Sequence, residues 1–389
     1  MHRCTNCVMP ETAESLAFDT DGKCSVCSQI EFKHTSINWD QRLKDLDGVI
    51  AEHRGKYDYD CIVPFSGGKD STFALWYIVD QLNLKPLVVR FNHGFMRPTL
   101  EENALKTFKK LGCDVLNFTP NWQVVRKLMF ESLVRRGDFC WHCHTGIFSY
   151  PMWVSLEKKV PLLFWGEPDA EYSSFYDYEN NLKVDERRFN RLCNLGINAE
   201  DMLGMLDDTI SDYKITARDL KPFMYPPSAE LRRNKTQSLF LGHFVPWDVR
   251  KQVDIIKKEL DWQGVEVEGI PPEYDYEKIE CYMQGVRDYL KFLKRGFGRT
   301  VHLASIDIRN NRLSREAALE LVDKYDGRRP AALDRFLKML GIDEATFMQI
   351  VAKHVVAPHV VPEIMDIPRV NREPDDFVNL DKLVEMGSK

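Results

Sequence analysis

Four cysteines open this chain in two pairs, Cys4-x2-Cys7 and Cys24-x2-Cys27, with sixteen residues between the pairs. Thiolates in that register close a tetrahedral site of the knuckle or ribbon type, and zinc is the ion expected in it. So short a segment has little core of its own, and the metal would supply its folding energy. A further pair lies in Cys140-Trp141-His142-Cys143-His144. Its readings stay open: a second metal or an iron–sulfur cluster completed by a third ligand such as Cys193 or Cys281, a redox pair, or two packed thiols beside an active site. Cys61 and Cys113 stand in apolar surroundings and are expected in the core.

The second chemical feature is the segment Ser66-Gly67-Gly68-Lys69-Asp70-Ser71-Thr72. It leads out of an apolar run at 61–65 and into a helical run at 73–82. Adjacent glycines let main-chain amides approach a ligand, and the helix N-terminus adds partial positive charge, so an anion is the natural occupant. The loop is not a Walker A motif, since the first glycine of that pattern would fall at Val63 and Asp70 follows Lys69.

Positioning such a loop requires a scaffold, and the pattern around it supplies one. Apolar runs at 61–65, 87–91, 115–118 and 162–165 read as buried strands alternating with helical patterns. That alternation means a parallel sheet covered on both faces, with ligands at the carboxyl ends of its strands. A polar helical stretch at about 40–54 precedes it. A mixed polar segment runs to about 220, then a break at Pro222, Pro226 and Pro227, then a mostly helical C-terminal third.

With 389 residues, 44% apolar, the chain supplies core for two domains or three. Its net charge of −6 argues against avid nucleic-acid binding. No stretch has the length of a membrane span and the start is not a signal peptide, so the expectation is a cytoplasmic protein with no membrane contact.

The 66–72 loop resembles the SGGxDS loop of the PP-loop, or N-type, ATP pyrophosphatases, which grip the β,γ-pyrophosphate of ATP and release AMP. The resemblance implies that Ser66, Gly67, Gly68, Ser71 and Thr72 bind pyrophosphate, that Lys69 neutralises phosphate charge, and that Asp70 holds Mg²⁺. A carboxylate among phosphates makes sense with a bridging cation. Phe91, Asn92 and His93 lie where related enzymes place adenine and ribose, although His93 reads equally as a solvent-facing loop residue.

Three further stretches narrow the family. Arg3-Cys4-Thr-Asn-Cys7-Val8-Met9-Pro10-Glu11-Thr12 resembles the start of the N-acetyl sugar amidotransferases of lipopolysaccharide and surface-polysaccharide biosynthesis, the WbpG and PseA type. So do Phe164-Trp165-Gly166-Glu167 with Glu171-Tyr172, and the stretch from Phe297-Gly298-Arg299-Thr300 through Lys324-Tyr325-Asp326-Gly327. The resemblance spans residue 3 to past 350 and thins out between about 175 and 235.

Such enzymes convert a sugar N-acetyl group into an acetamidino group. Adenylating the amide oxygen turns a poor leaving group into AMP, and ammonia then attacks. The resemblance implies a nucleotide-sugar substrate, with a UDP-linked uronic acid and a CMP-linked nonulosonic acid both admissible. It further implies a separate glutaminase with a barrel-type synthase to supply ammonia, since no glutaminase nucleophile is evident here. Glu167 and Glu171 would orient or deprotonate ammonia. Arg299, His302, Asp307, Arg309, Arg312 and Arg315 offer a binding set for a diphosphate and a uronate carboxylate, the other reading being an inter-helix salt-bridge network. The Arg187-Arg188 and Arg232-Arg233 pairs read as solvated faces.

The rival is a PP-loop tRNA thiolase with an iron–sulfur cluster, because such enzymes combine a four-cysteine module, this loop and a downstream CxxC. The acidic charge and the missing third cysteine in register stand against it, and a non-enzymatic platform is contradicted by an intact phosphate loop. The expected fold is therefore α/β, a doubly wound parallel sheet of the PP-loop ATP pyrophosphatase type over residues 46–245. A zinc module with its linker (1–45) precedes it, and a mainly helical region for substrate or partner binding (246–389) follows.

Overall fold

The computed structural model describes residues 1–166, 168–172, 177–179, 183–206, 213–370 and 373–387. They form two compact units. One comprises Asn38–Pro168 and Leu182–Gln263; the other comprises Met1–Ile37, Asp169–Asn181 and Gly264–Lys389. The four-cysteine segment and the helical C-terminal region thus belong to one unit, and the chain passes between the units at about residue 263.

The first unit is built on five parallel strands, β1 (Cys61–Pro64), β2 (Pro86–Phe91), β3 (Asp114–Phe118), β4 (Leu162–Trp165) and β5 (Gln237–Phe240). Their order is β3-β2-β1-β4-β5. Order reverses between β1 and β4, which pair through Ile62 and Leu163, so the crevice of this doubly wound sheet opens at the carboxyl end of β1. β1, β2 and β4 are wholly buried and, Arg90 of β2 apart, apolar, as strands covered on both faces tend to be. β3 is the exception to the expected burial: it is an edge strand, and Asp114 and Val115 are exposed. β5 went unread in the sequence, because it is four residues long and starts on the polar Gln237.

Helices cover both faces. Lys69–Trp76, Pro98–Leu111 and Val249–Leu260 pack on one another, while Trp141–Lys158 lies on β1 and β2 with Trp122–Arg136 beside it. Their ends have local causes. Pro98 opens one helix at its first position and Gly112 closes it in the left-handed region, while the side chains of Asn121 and Asp248 cap two others. Ile62, Leu87, Val89 and Leu163 bury against Met152, Val154 and Val160 of the Trp141–Lys158 segment and its exit. At roughly 1.5–3 kcal/mol per large apolar side chain buried, this interface is a main source of the unit's stability.

The second unit is helical, as its amphipathic patterns require. Gln284–Arg295 packs on Ala332–Leu340 and Glu344–Ala352, and Arg299–Arg309 packs on Arg315–Tyr325. No helix among the described residues is long and apolar enough to cross a membrane.

Candidate functional site

The phosphate loop sits at the end of β1 and turns into the Lys69–Trp76 helix, whose N-cap is Gly68. Gly67 has φ +90°, and a Cβ there would stand 2.9 Å from Leu100 Cδ1, so the position accepts only glycine. The loop is cross-tied. The amide of Gly67 donates to Ser71 Oγ at 3.1 Å, the amide of Gly68 to Ser66 Oγ at 3.3 Å, and the Thr72 hydroxyl to Gly67 O at 3.3 Å. First-turn amides of a helix have no acceptor inside it, which leaves those of Lys69, Asp70 and Ser71 as donors without an intrahelical partner.

Lys69 Nζ lies 2.8 Å from Asp70 Oδ2, while Asp70 Oδ1 is buried with no hydrogen-bond partner. A buried carboxylate oxygen left over after one cation is satisfied fits a divalent ion. Two contacts escaped the sequence reading. Trp262 donates its indole N–H to Gly67 O at 3.3 Å, and a Cβ on Gly166, at the end of β4, would stand 3.1 Å from Asp70 O. The second had a local signal, glycine directly after a buried strand.

The end of β2 borders the same crevice. Asn92 donates its amide to Phe118 O and accepts from the Gly94 amide, which fixes the loop. His93 is buried, which corrects the solvent-facing alternative. The Phe91 ring packs into the core with Trp141, Leu128 and Phe223. Burial first, then His93 and His144, hold the pKa of His142 down to about 3, so that ring is neutral. Cys140 is the N-cap of the Trp141–Lys158 helix and Cys143 lies in its first turn. Cys61 is buried in β1, and burial pushes the Cys113 thiol up to about 11.

In the helical unit the four N-terminal cysteines converge. All are buried, Cys4 Sγ lies 3.9 Å from Cys27 Sγ, and Cys7 Sγ lies 3.7 Å from Cys24 Sγ. Sulfurs of a tetrahedral thiolate site with bonds of about 2.3 Å stand about 3.8 Å apart, so the cage has the size for one ion. Among the described residues these are the one group of three or more His, Cys, Asp or Glu side chains close enough to share a metal. Cys140 and Cys143 are not joined there by a third ligand.

Other residues expected to touch substrate belong to the helical unit. Arg309 packs on the cysteine cage, its Nε 3.4 Å from Cys27 Sγ and its Nη2 3.4 Å from Cys7 Sγ. Arg315 donates to the carbonyls of Cys7 and Cys4. Arg299 pairs with Asp288 at 3.1 Å, and Asp307 accepts from the Tyr274 hydroxyl at 2.8 Å with Arg312 at 3.6 Å. His302 Nε2 is 2.6 Å from Lys291 Nζ. The Arg299–Asp288 and Lys291–His302 contacts link two helices of this unit. Glu171 is buried, held by Lys33 and the Tyr178 hydroxyl. Glu167 lies outside the described residues. Arg188, read as a solvated residue, instead stacks between Phe148 and Phe240, 5.0 Å from each ring centre.

Comparison with known proteins agrees with the C-terminal reading. Residues 273–360 match the family model for the C-terminal domain of WbpG-like LPS biosynthesis proteins. The uncharacterized protein MJ1599 of Methanocaldococcus jannaschii is 26% identical over 139 residues, which is 35% of this chain and 48% of that one. The chain thus spans about half the length of that relative. Among solved structures, the U34-tRNA thiolase NcsA of Methanococcus maripaludis with its [4Fe-4S] cluster aligns over 84% of this chain and 87% of its own, at 12% identity and a TM-score of 0.33. The fold is a parallel five-stranded α/β sheet with the 66–72 loop at its switch point, and residues 273–360 are similar to the C-terminal domain of WbpG-like lipopolysaccharide-biosynthesis proteins.

Proposed function

We propose that this protein is an ATP-dependent amidotransferase that converts an N-acetyl group of a nucleotide-linked sugar into an acetamidino group. The observation that carries it is the cross-tied 66–72 loop at the sheet's switch point, with Asp70 Oδ1 buried and unpaired beside Lys69. The WbpG-type domain supports the sugar class of the substrate.

In this reading Ser66, Gly67, Gly68, Ser71 and Thr72 hold the β- and γ-phosphates, and Asn92 and His93 border the nucleoside. Lys69 offsets charge on the departing pyrophosphate. Asp70 would hold Mg²⁺, which would supply positive charge against the phosphates. The substrate's amide oxygen attacks the α-phosphorus, pyrophosphate leaves, and the amide carbon becomes electrophilic. Ammonia attacks that carbon, loses protons, and AMP departs, leaving C=NH where C=O stood. Glu167, directly after Gly166, is the group proposed to take the proton. Ammonia would come from a separate glutaminase with a barrel-type synthase partner. The four cysteines would hold zinc as a structural ion.

The test is AMP and pyrophosphate release with ATP, Mg²⁺ and ammonium across acetamido nucleotide sugars and bulk tRNA, with product masses recorded. Turnover with one sugar and the mass change for O replaced by NH is the expected result. Turnover only with tRNA and a sulfur donor would replace this reading with a thiolase.

A further inference from the structure

A second cavity opens in the sheet unit away from the phosphate loop. Its volume is about 580 Å³, within the range of small-molecule sites. It is lined from the amino-terminal side of β5, by Lys235 and Thr236, and from the 183–187 segment that bridges to β5 through Lys183 and Leu239. In a parallel sheet that end is opposite to the carboxyl ends where the 66–72 loop sits, so an occupant would not share the ATP site.

The cavity's charge is unbalanced. Of its cations, Arg187 is committed to Asp185, at 2.8 Å. Its other carboxylate, Glu186, accepts from Ser228 Oγ at 2.6 Å. Lys183, Arg232 and Lys235 have no carboxylate partner among the described residues. Three cations of one sign around a concavity repel one another unless an anion joins them. Lys235 is held at φ +54°, a backbone conformation that glycine would adopt without cost, yet the residue there is a lysine. The opposite wall is apolar: Met152, Leu231 and Tyr225, whose ring is half-buried against Phe189 at 5.2 Å.

We propose that this cavity is a second ligand site, for a nucleoside diphosphate. The phosphates would pair with Lys183, Arg232 and Lys235, and the planar base would lie along Tyr225 and the aliphatic wall. Occupancy would bear on the edge of the sheet through β5. The inference is independent of the amidotransferase reading, because binding is measured without turnover.

The experiment is calorimetric titration of UDP into the full chain and into its Asp70→Ala variant, in which the phosphate loop is disabled. One saturable site is expected in both. Lys235→Gly should weaken it about tenfold, the loss of one charge-assisted hydrogen bond. Because glycine relieves the left-handed backbone, that loss cannot be ascribed to misfolding. Arg232→Ala should act likewise, and affinity should fall with added salt. Uridine and inorganic pyrophosphate should each bind at least tenfold more weakly than UDP. Absence of saturable binding in the Asp70→Ala protein, indifference to both cation variants, or pyrophosphate binding as tightly as UDP would overturn the assignment.

Discussion

Arg309 and Cys7 stand 302 positions apart in sequence, and the guanidinium Nη2 lies 3.4 Å from the sulfur. The same group reaches Cys27 with its Nε, so one planar fork spans two thiolates of the cage. Four thiolates around a divalent ion carry a net charge of −2, and Arg309 offsets half of it where water is largely excluded. The charge on thiolates near this guanidinium in turn favours its protonated form.

Replacing Arg309 should therefore loosen the metal. In Arg309→Met, the rate of ion release to a chromogenic chelator should rise about 10- to 100-fold, the usual cost of losing a group that supports metal ligands. Arg309→Lys should recover only part of this, since an ammonium cannot bridge two sulfurs in one plane. Equal release rates in wild type and Arg309→Met would remove the guanidinium from the metal's support.

The cage itself is tested by Cys24→Ser. One ligand is lost and the Cys24 amide no longer rests in an ordered turn on Cys4 Sγ, now 3.1 Å away. Metal content should fall well below one equivalent, and protease should nick the N-terminal segment. Elemental analysis that still finds a full equivalent would contradict the four-thiolate site.

Asp70→Asn keeps the shape of the loop but takes the charge from the buried oxygen. AMP release should drop at least about 100-fold, as expected when a group that stabilises transition-state charge is lost, with metal content at the cysteines unchanged. Retained AMP release would sink the proposed Mg²⁺ role.

Two glycines make a contrast in stability. Gly67→Ala forces a side chain into φ +90° and against Leu100, and should cost about 1–3 kcal/mol as well as activity. Gly48 lies inside the Trp39–Ala51 helix with open space at its Cβ position. Gly48→Ala should raise stability by about 0.5–1 kcal/mol. Urea midpoints of the two variants moving in the same direction would refute this reading of the backbone.

Acid sensitivity should trace in part to His302. Burial, then Lys291 and Arg299, hold its pKa well below the ordinary value, so the folded ring stays neutral. The unfolded ring takes a proton near pH 6.5. Protons thus favour the unfolded chain: stability is full above pH 6.5 and falls below it, by at most about 1.4 kcal/mol per pH unit from this group. Denaturant midpoints at pH 7, 6 and 5 should fall less steeply in His302→Gln than in wild type.

What could be read before folding was local. The two CxxC pairs set their own ligand geometry within a few residues, and the loop from Ser66 to Thr72 carries its glycines, hydroxyls and charges on consecutive positions. β1, β2 and β4 declare themselves because burial on both faces favours near-continuous apolar runs, broken here only by Arg90 in β2. β5 lacks that signal, since a four-residue strand beginning with Gln237 becomes a strand only when β4 offers it hydrogen bonds. Arg309 and Arg315 announce a charge, and a sequence does not say what stands opposite it. Only the packing of the Arg299–Arg309 helix on the cysteine segment decided that these cations face sulfur and carbonyl oxygen. Trp262 on the phosphate loop and the cations around the β5 cavity belong to the same class. Contacts over tens to hundreds of residues are chosen by how elements bury their apolar faces, and no spacing along the chain encodes them.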